Sequence, residues 1–427
     1  MSQNSRVEEQ QSCAHAKPIL ANRGMIRVIR NQVKDTLSRL KNGSITVTDP
    51  IETYVCGDAQ SDLALALTIR DIDFYRLVAL EGSNGAAQAF IDQKWDVDNL
   101  TGLVQLLVRN IELLDEMEGG LAWLKNSVLK VWHYFNKNSV SGSKNNISAH
   151  YDLGNDFFEL FLDTHMMYSS AIFAEPNDTL EQASERKLKT ICEKLDLQST
   201  DNVIEIGTGW GGMAIYAAKH YGCHVTTTTI SEQQYQFAQK RILEEGLEDK
   251  VTLLKKDYRD LEGRFDKLVS IEMIEAVGHH YLDTYIKQCS TLLKPNGLAL
   301  IQAITIEDRR YKQALKSVDF IKRYIFPGSF IPCVSAIVSS AGEKTDLRLI
   351  NLEDFGESYA KTLEHWRHRF MENIETIKAQ GYSEAFTRMW EFYFCYCEGG
   401  FIEKSISDTH LLFAKPGNKR DQWLAQH

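Results

Sequence analysis

The sequence predicts an α/β protein: a mostly parallel sheet flanked by helices, preceded by a smaller α+β domain. Three observations predict it. From residue 200 onward, strand-like and helix-like runs alternate, which implies a parallel sheet with helices on both faces. The first of these strands, "NVIEIG", runs into a glycine-rich turn and then a helical pattern, "GMAIYAAKH". Ahead of this, residues 43 to 130 mix short strands ("SITVTD", "LALALTI") with helices ("FYRLVALEG", "LTGLVQLLVRNIELLDEM").

Taken in order, residues 1–20 are polar and read as a disordered tail. An N-terminal domain follows at 21–135. It opens on a helix from Met25 to Lys41 whose apolar face carries Ile26, Ile29, Val33, Leu37 and Leu40. Arg27, Arg30, Lys34, Arg39 and Lys41 occupy the other faces, as on a domain helix with a solvated basic side. Helices of this kind also lie on membranes. The polar, Gly/Ser-rich stretch "NKNSVSGSKNNIS" marks a linker at 136–149, and the α/β domain occupies 150–427. After "NVIEIG" its strands are "HVTTTTIS", "VTLLKKD", "FDKLVSIEMI" and "GLALIQAIT", then "LRLINLEDFG" and "THLLFAKP" late in the chain.

The chain has 427 residues, enough for two cores, with 43% hydrophobic and 25% charged residues, as in ordinary globular proteins. A net charge of −10 argues against nucleic acid as a partner, since such binding needs concentrated positive charge. The N-terminus lacks the apolar core of a signal peptide, and no window is apolar enough to span a membrane. The eight cysteines form no C-x-x-C pair, so the expectation is a reduced, cytoplasmic compartment and no metal site. The neighbouring His279 and His280 lack a third ligand at metal spacing and read as a solvated loop.

The glycine turn places Gly207, Gly209 and Gly212 in a G-x-G-x-x-G pattern. A nicotinamide or flavin site would need an acid at the end of the second strand to grip ribose hydroxyls. Here that strand ends without one, and Thr229 and Gln234 take its place. With Glu205 just before the loop, as is common where a ligand has a free amine, the pattern points to S-adenosylmethionine instead. Gly211 and Gly212 read as close helix–strand packing, and Trp210 reads equally as loop anchor or ligand contact.

Five stretches then resemble the cyclopropane fatty acid synthases: "NISAHYDLGNDFFELFLDTHMMYSSAIF", "VIEIGTGWGGMAIYAA", "HVTTTTISEQQYQFAQKR", "SIEMIEAVGHHYLDTYI" and "FIKRYIFPGSFIP". "VALEGSNGAAQAFIDQKWDVDNL" is similar to that family's N-terminal domain. The resemblance implies a Rossmann-like class I methyltransferase sheet with a helical cap. It also implies S-adenosylmethionine-dependent transfer of a methyl or methylene group to the double bond of a phospholipid acyl chain. Tyr168, Ser169, Glu205, Gly207, Gly209, Trp210, Thr229, Gln234, Tyr258 and Arg259 are the implied cofactor residues. A homodimer, peripheral at the inner membrane surface, is the implied state.

Such chemistry needs a dry slot for the chain, stabilisation of a carbocation, and a base. The aromatics of "FFELFL", "DFIKRYIFPGSF" and "MWEFYFCYCEGGF" suit the slot, though the last would be plain core in most proteins. In the family the base is a bound bicarbonate, and the resemblance maps its holders to Glu275, Tyr324, Ser170, Gln302 and the backbone of Ile304. Ser170 and Gln302 replace a cysteine and a histidine of the family, and Ala276 replaces the histidine after the glutamate. Cys397 aligns with a family cysteine regarded as catalytic, but its aromatic neighbours suggest an inert buried thiol. The sequence also admits two other readings: a small-molecule N-methyltransferase, and a cofactor-binding lipid protein without turnover.

Overall fold

The structure, a computed structural model, describes residues 23–58, 60–119 and 153–420. The expected tail at 1–20 and linker at 136–149 lie outside the described residues. The N-terminal sheet has the order β2-β1-β3-β4, built from β1 (Ser44–Thr48), β2 (Thr53–Gly57), β3 (Ala64–Ile69) and β4 (Trp95–Val97). Buried and exposed residues alternate along β2 and β3, which puts Tyr54, Cys56, Leu65, Leu67 and Ile69 on one covered face. Helices α1 (Arg23–Leu37), α2 (Asp73–Ile91) and α3 (Leu100–Arg109) supply the rest of this core.

The helix expected near the start is present as α1, and Ile29, Val33 and Leu37 pack inward. Its basic side departs from expectation. Arg30 is buried, with Nε 2.6 Å from Asp49 and a second nitrogen 2.9 Å from Glu52, and Lys34 Nζ lies 2.6 Å from the same Glu52. Asp49 also accepts the Tyr75 hydroxyl at 2.6 Å. A guanidinium is buried at tolerable cost only when its donors are met this fully. Arg27, Arg39 and Lys41 stay exposed.

The second sheet has the order β10-β11-β9-β8-β5-β6-β7. Its strands are β5 (Asn202–Ile206), β6 (His224–Thr228), β7 (Val251–Leu254), β8 (Phe265–Ile271), β9 (Leu293–Ile306), β10 (Arg348–Asp354) and β11 (Ile406–Ala414). The five from β9 to β7 are parallel, and β11 runs antiparallel to both neighbours. Strand residues divide between two cores, as a period of two requires. Val203, Leu298, Leu300 and Leu412 face helices α4 (Leu180–Leu195) and α5 (Gly212–Tyr221). Ile204, Ala299, Ile301 and Phe413 face α7 (Leu282–Thr291) and α8 (Val334–Lys344). Helix α6 (Glu232–Glu244) packs beside β7.

A helical cap completes the molecule, formed by α9 (Gly356–Glu372) and α10 (Glu384–Ile402) with the segment around Phe157. Phe157, Phe158, Phe161, Trp366, Phe370, Trp390 and Phe394 are buried there, so "FFELFL" is largely core rather than slot. The N-terminal domain docks on this cap. Arg388 of α10 donates to the Phe90 carbonyl at 2.6 Å and to Asp96 at 2.7 Å, and Thr101 donates to Glu398 at 3.1 Å. The contact is close enough that a Cβ on Gly399 would stand 2.7 Å from Val104 Cγ1.

Candidate active site

One cavity of about 1690 Å³ joins the two domains. At one end lies the turn after β5, where ligands of parallel α/β sheets gather, beyond the carboxyl ends of the strands. Gly207 and Gly209 hold φ of 100° and 52°, a region glycine enters without strain. A Cβ on Gly209 would meet no atom within 4 Å, so the loop presents bare backbone to the cavity. A Cβ on Gly212, by contrast, would stand 2.6 Å from the His165 carbonyl and from Met167 Sδ, which is the expected helix packing.

All ten residues expected to hold the cofactor line this end. Glu205 is buried, accepts the Thr227 hydroxyl at 2.5 Å, and has its pKa pushed up to about 8 by burial. Thr229 Oγ1 donates to Gln234 Oε1 at 2.9 Å. Arg259 is held by Asp257 and lies against the Tyr258 and Tyr281 rings. Trp210 both anchors, donating to Asn155 at 2.8 Å, and borders the cavity. Tyr168 donates to the Tyr393 hydroxyl at 3.1 Å, and the Ser169 hydroxyl accepts from buried Lys187 at 2.5 Å. A bare glycine loop, a buried acid for an amine, and hydroxyl and amide groups for a ribose together fit S-adenosylmethionine.

From this end the cavity continues along Phe326, Tyr393, Phe401 and Cys397 into the N-terminal domain, between Leu37, Val47, Leu67, Trp95 and Leu103. Cys397 is partly buried, and burial pushes its thiol pKa up, away from the reactive thiolate.

The residues mapped to a bicarbonate do not form one open anion site: Ser170 and Gln302 meet on Glu272, Glu275 meets Ile304, and Tyr324 lies apart. Glu275 and Ile304 do meet, the Ile304 N–H donating to Glu275 Oε1 at 2.6 Å, while Glu275 Oε2 is buried without a hydrogen-bond partner. Tyr324 instead donates to Gln88 of α2 at 2.8 Å, because its segment is docked on the N-terminal domain. The Ser170 hydroxyl is fully buried and donates to the Ala171 carbonyl. The Gln302 amide is spent on two carboxylates, Glu272 at 2.9 Å and Asp408 at 2.7 Å. Among the described residues, this donor set does not fit a carbonate.

Glu272 is the residue that the sequence reading missed. It follows β8 directly, lines the cavity, and holds a φ of 47°, which costs a non-glycine residue about 1 kcal/mol. Its Oε1 accepts the Ser170 N–H at 2.8 Å as well as Gln302, and its Oε2 accepts the Tyr359 hydroxyl at 2.7 Å. Burial raises its pKa while the charge of Lys187 and these bonds oppose the rise. Burial and then Glu272 raise Glu275 and Asp408 well above the carboxylate range. The available signal was a second acid in "SIEMIE", at the end of a strand that had to be buried.

Known proteins resemble this chain in sequence and in fold. The family model for mycolic acid cyclopropane synthetase matches residues 138–411. The chain is 36% identical to the cyclopropane-fatty-acyl-phospholipid synthase of Escherichia coli K12, over 84% of this chain and 89% of that one. It is 34% identical to the tuberculostearic acid methyltransferase UfaA1 of Mycobacterium tuberculosis, over 76% of this chain and 77% of that one. Among solved structures, the mycolic acid cyclopropane synthase CmaA1 complexed with SAH and CTAB superposes with a TM-score of 0.60 at 26% identity, covering 64% of this chain and 98% of that one.

Proposed function

The chain belongs to the mycolic acid cyclopropane synthetase family and is an S-adenosylmethionine-dependent methyltransferase acting on lipid double bonds, and we propose that its acceptor is an unsaturated acyl chain of a membrane phospholipid. The product is a cyclopropane or a methyl-branched chain. The observation that carries this reading is the single cavity that links the glycine loop to the apolar interior of the N-terminal domain, with the carboxyls of Glu272 and Glu275 on its lining.

S-adenosylmethionine supplies an electrophilic methyl group on a sulfonium. Gly207 and Gly209 let the backbone approach it, and Glu205 faces its amine. Thr229 and Gln234 meet the ribose, Tyr258 and Arg259 the adenine, while Tyr168, Ser169 and Trp210 border its methionine end. The apolar limb holds the chain and excludes water, which would otherwise capture the cation. Tyr168, Phe326, Tyr359, Tyr393 and Phe401 line the same space and offer ring faces to the positive charge that develops on the chain.

The N-terminal domain presents the lipid, and the protein works as a homodimer at the cytoplasmic face of the membrane. Val28, Ile51 and Val55 support that contact, being 64%, 61% and 60% exposed on α1, the β1–β2 turn and edge strand β2. No described helix is long and apolar enough to cross a membrane. Mass spectrometry of phospholipids from cells expressing the protein tests the reading. A gain of one CH2 on monounsaturated chains is expected, and chromatography against standards separates ring from branch. Unchanged lipids from a protein that still binds S-adenosylhomocysteine would overturn it.

A further inference from the structure

Two of the residues that the family resemblance assigns to a bound anion, Ser170 and Gln302, hold a side chain of the protein itself. The Ser170 N–H and the Gln302 amide both donate to Glu272 Oε1, and the Tyr359 hydroxyl donates to Oε2. A carboxylate oxygen has two lone-pair directions, so these donors fill Oε1 and take one direction of Oε2, and the Asp408 carboxyl stands in hydrogen-bonding range of the same group. Glu272 borders the cavity beside Glu275, Ile304 and Tyr359. Left-handed backbone at a half-buried acid, over-determined by three donors, is the kind of strain that persists at working sites.

We infer that Glu272 is the base that removes the proton after methyl transfer, in the place where a carbonate would otherwise stand. Three carboxyls, Glu272, Glu275 and Asp408, share this buried region, and neighbouring carboxyls cannot all carry charge. Glu272 has three donors and the fully buried Lys187 cation as its electrostatic partner, whereas Glu275 has the Ile304 N–H and an unpartnered oxygen. The charge therefore resides on Glu272, and Glu275 and Asp408 stay protonated. Divided environments of this sort separate an acid from a base.

The inference rests on the methyl-transfer reading. In the step, the alkene π pair forms a bond to the methyl carbon as the carbon–sulfur bond breaks, leaving a neutral thioether and a cation on the chain. Glu272 Oε2 takes a proton from the new methyl group, and the released C–H pair closes the ring. If the proton comes from a neighbouring chain carbon instead, the pair forms an alkene and the methyl remains as a branch. Either way one proton ends on Glu272 and leaves to solvent between turnovers.

The experiment uses the full chain with vesicles of monounsaturated phospholipid, assayed in CO2-depleted buffer and again with added bicarbonate. The wild-type rate should be the same in both. Glu272→Gln should lose product formation by on the order of 100-fold or more, the usual weight of general-base catalysis, with affinity for S-adenosylhomocysteine retained. Glu272→Asp should recover part of the rate. A wild-type rate that collapses without CO2 and returns with bicarbonate would overturn the assignment, and so would near-normal turnover by Glu272→Gln. The bicarbonate comparison needs no variant, so a misfolded Glu272→Gln does not block the test. A wild type inactive on every unsaturated lipid would remove the methyl-transfer reading, and this inference with it.

Discussion

His410 Nε2 faces Gln302 Oε1 at 3.3 Å, directly across the ladder that pairs β11 with β9. The imidazole absent from position 302 is thus present one strand away. Burial, then Lys194 and Lys187, hold the His410 pKa well below its ordinary value, so the ring is neutral. Lys194 Nζ lies 3.0 Å from Nδ1, which makes Nδ1 the acceptor and leaves the proton on Nε2. That proton fixes the Gln302 carbonyl, and so turns the Gln302 NH2 toward Glu272 and Asp408.

Gln302→Leu should therefore leave two buried carboxyls without a shared donor. Bonds to charged groups contribute about 1.5–3 kcal/mol, so a stability loss of that size is expected from urea unfolding. Affinity for S-adenosylhomocysteine should barely change, because the glycine loop lies outside this network. An unchanged unfolding midpoint would show that the amide is not holding the pair.

The two halves of the site were unequally legible in sequence. Gly207, Gly209, Thr229, Gln234 and Tyr258 lie at or just past the ends of parallel strands, so a strand period and a turn locate them together. Glu272 is held by partners 102, 30 and 87 residues away, and such pairings leave no periodic trace. The Tyr324 hydroxyl goes to Gln88 for a related reason. Its motif says which residue it is, but docking on another domain decides where its hydroxyl goes. The helical period also located α1 correctly without revealing that Arg30 would be buried against Asp49.

Glu205 carries a pH prediction. Burial pushes its pKa up to about 8 in the ligand-free fold, above the ordinary 4.5. The folded state then holds the proton more tightly than the unfolded chain, so wild-type stability falls as pH rises from about 4.5 to about 8. The fall from this group is at most about 1.4 kcal/mol per pH unit. Glu205→Gln removes it, so in melting-temperature scans the variant should gain on the wild type across that range. The same variant should bind S-adenosylmethionine more weakly, since the amine loses its counter-charge. A wild-type minus variant difference that is flat with pH would contradict the assignment.

Gly209→Ala separates backbone strain from ligand space. Without ligand a Cβ there is unopposed, so only the left-handed φ costs stability, about 1–2 kcal/mol. With ligand the methyl should stand in the cofactor's path, and calorimetry should show a much larger loss of affinity than the melting shift implies. Gly212→Ala should reverse the pattern, because its Cβ meets the His165 carbonyl and Met167 inside the fold. Equal effects of both substitutions on ligand affinity would mean the loop's open face is misassigned.

Tyr324 and Gln88 supply a double-mutant test of what that tyrosine does. Its hydroxyl reaches Gln88 Oε1 at 2.8 Å, and the same stretch is tied to α2 by Arg323 with Glu81 and by Asn84 donating to the Val318 carbonyl at 2.7 Å. The structure thus gives Tyr324 an interdomain bond, not a place at the reacting carbons. Removing either end of one such bond should cost about 1 kcal/mol. Tyr324→Phe and Gln88→Leu should then lower stability by similar amounts, and the double variant should lose little more than either single, since both break the same interdomain bond and the Gln88 amide's other bond, to Asp92, is exposed and contributes little. Turnover should fall in parallel in the two single variants, as the docked segment loosens beside the cavity that Phe320, Ile321 and Phe326 line. A Tyr324→Phe enzyme of normal stability that has lost turnover, beside a fully active Gln88→Leu, would return Tyr324 to the reacting atoms.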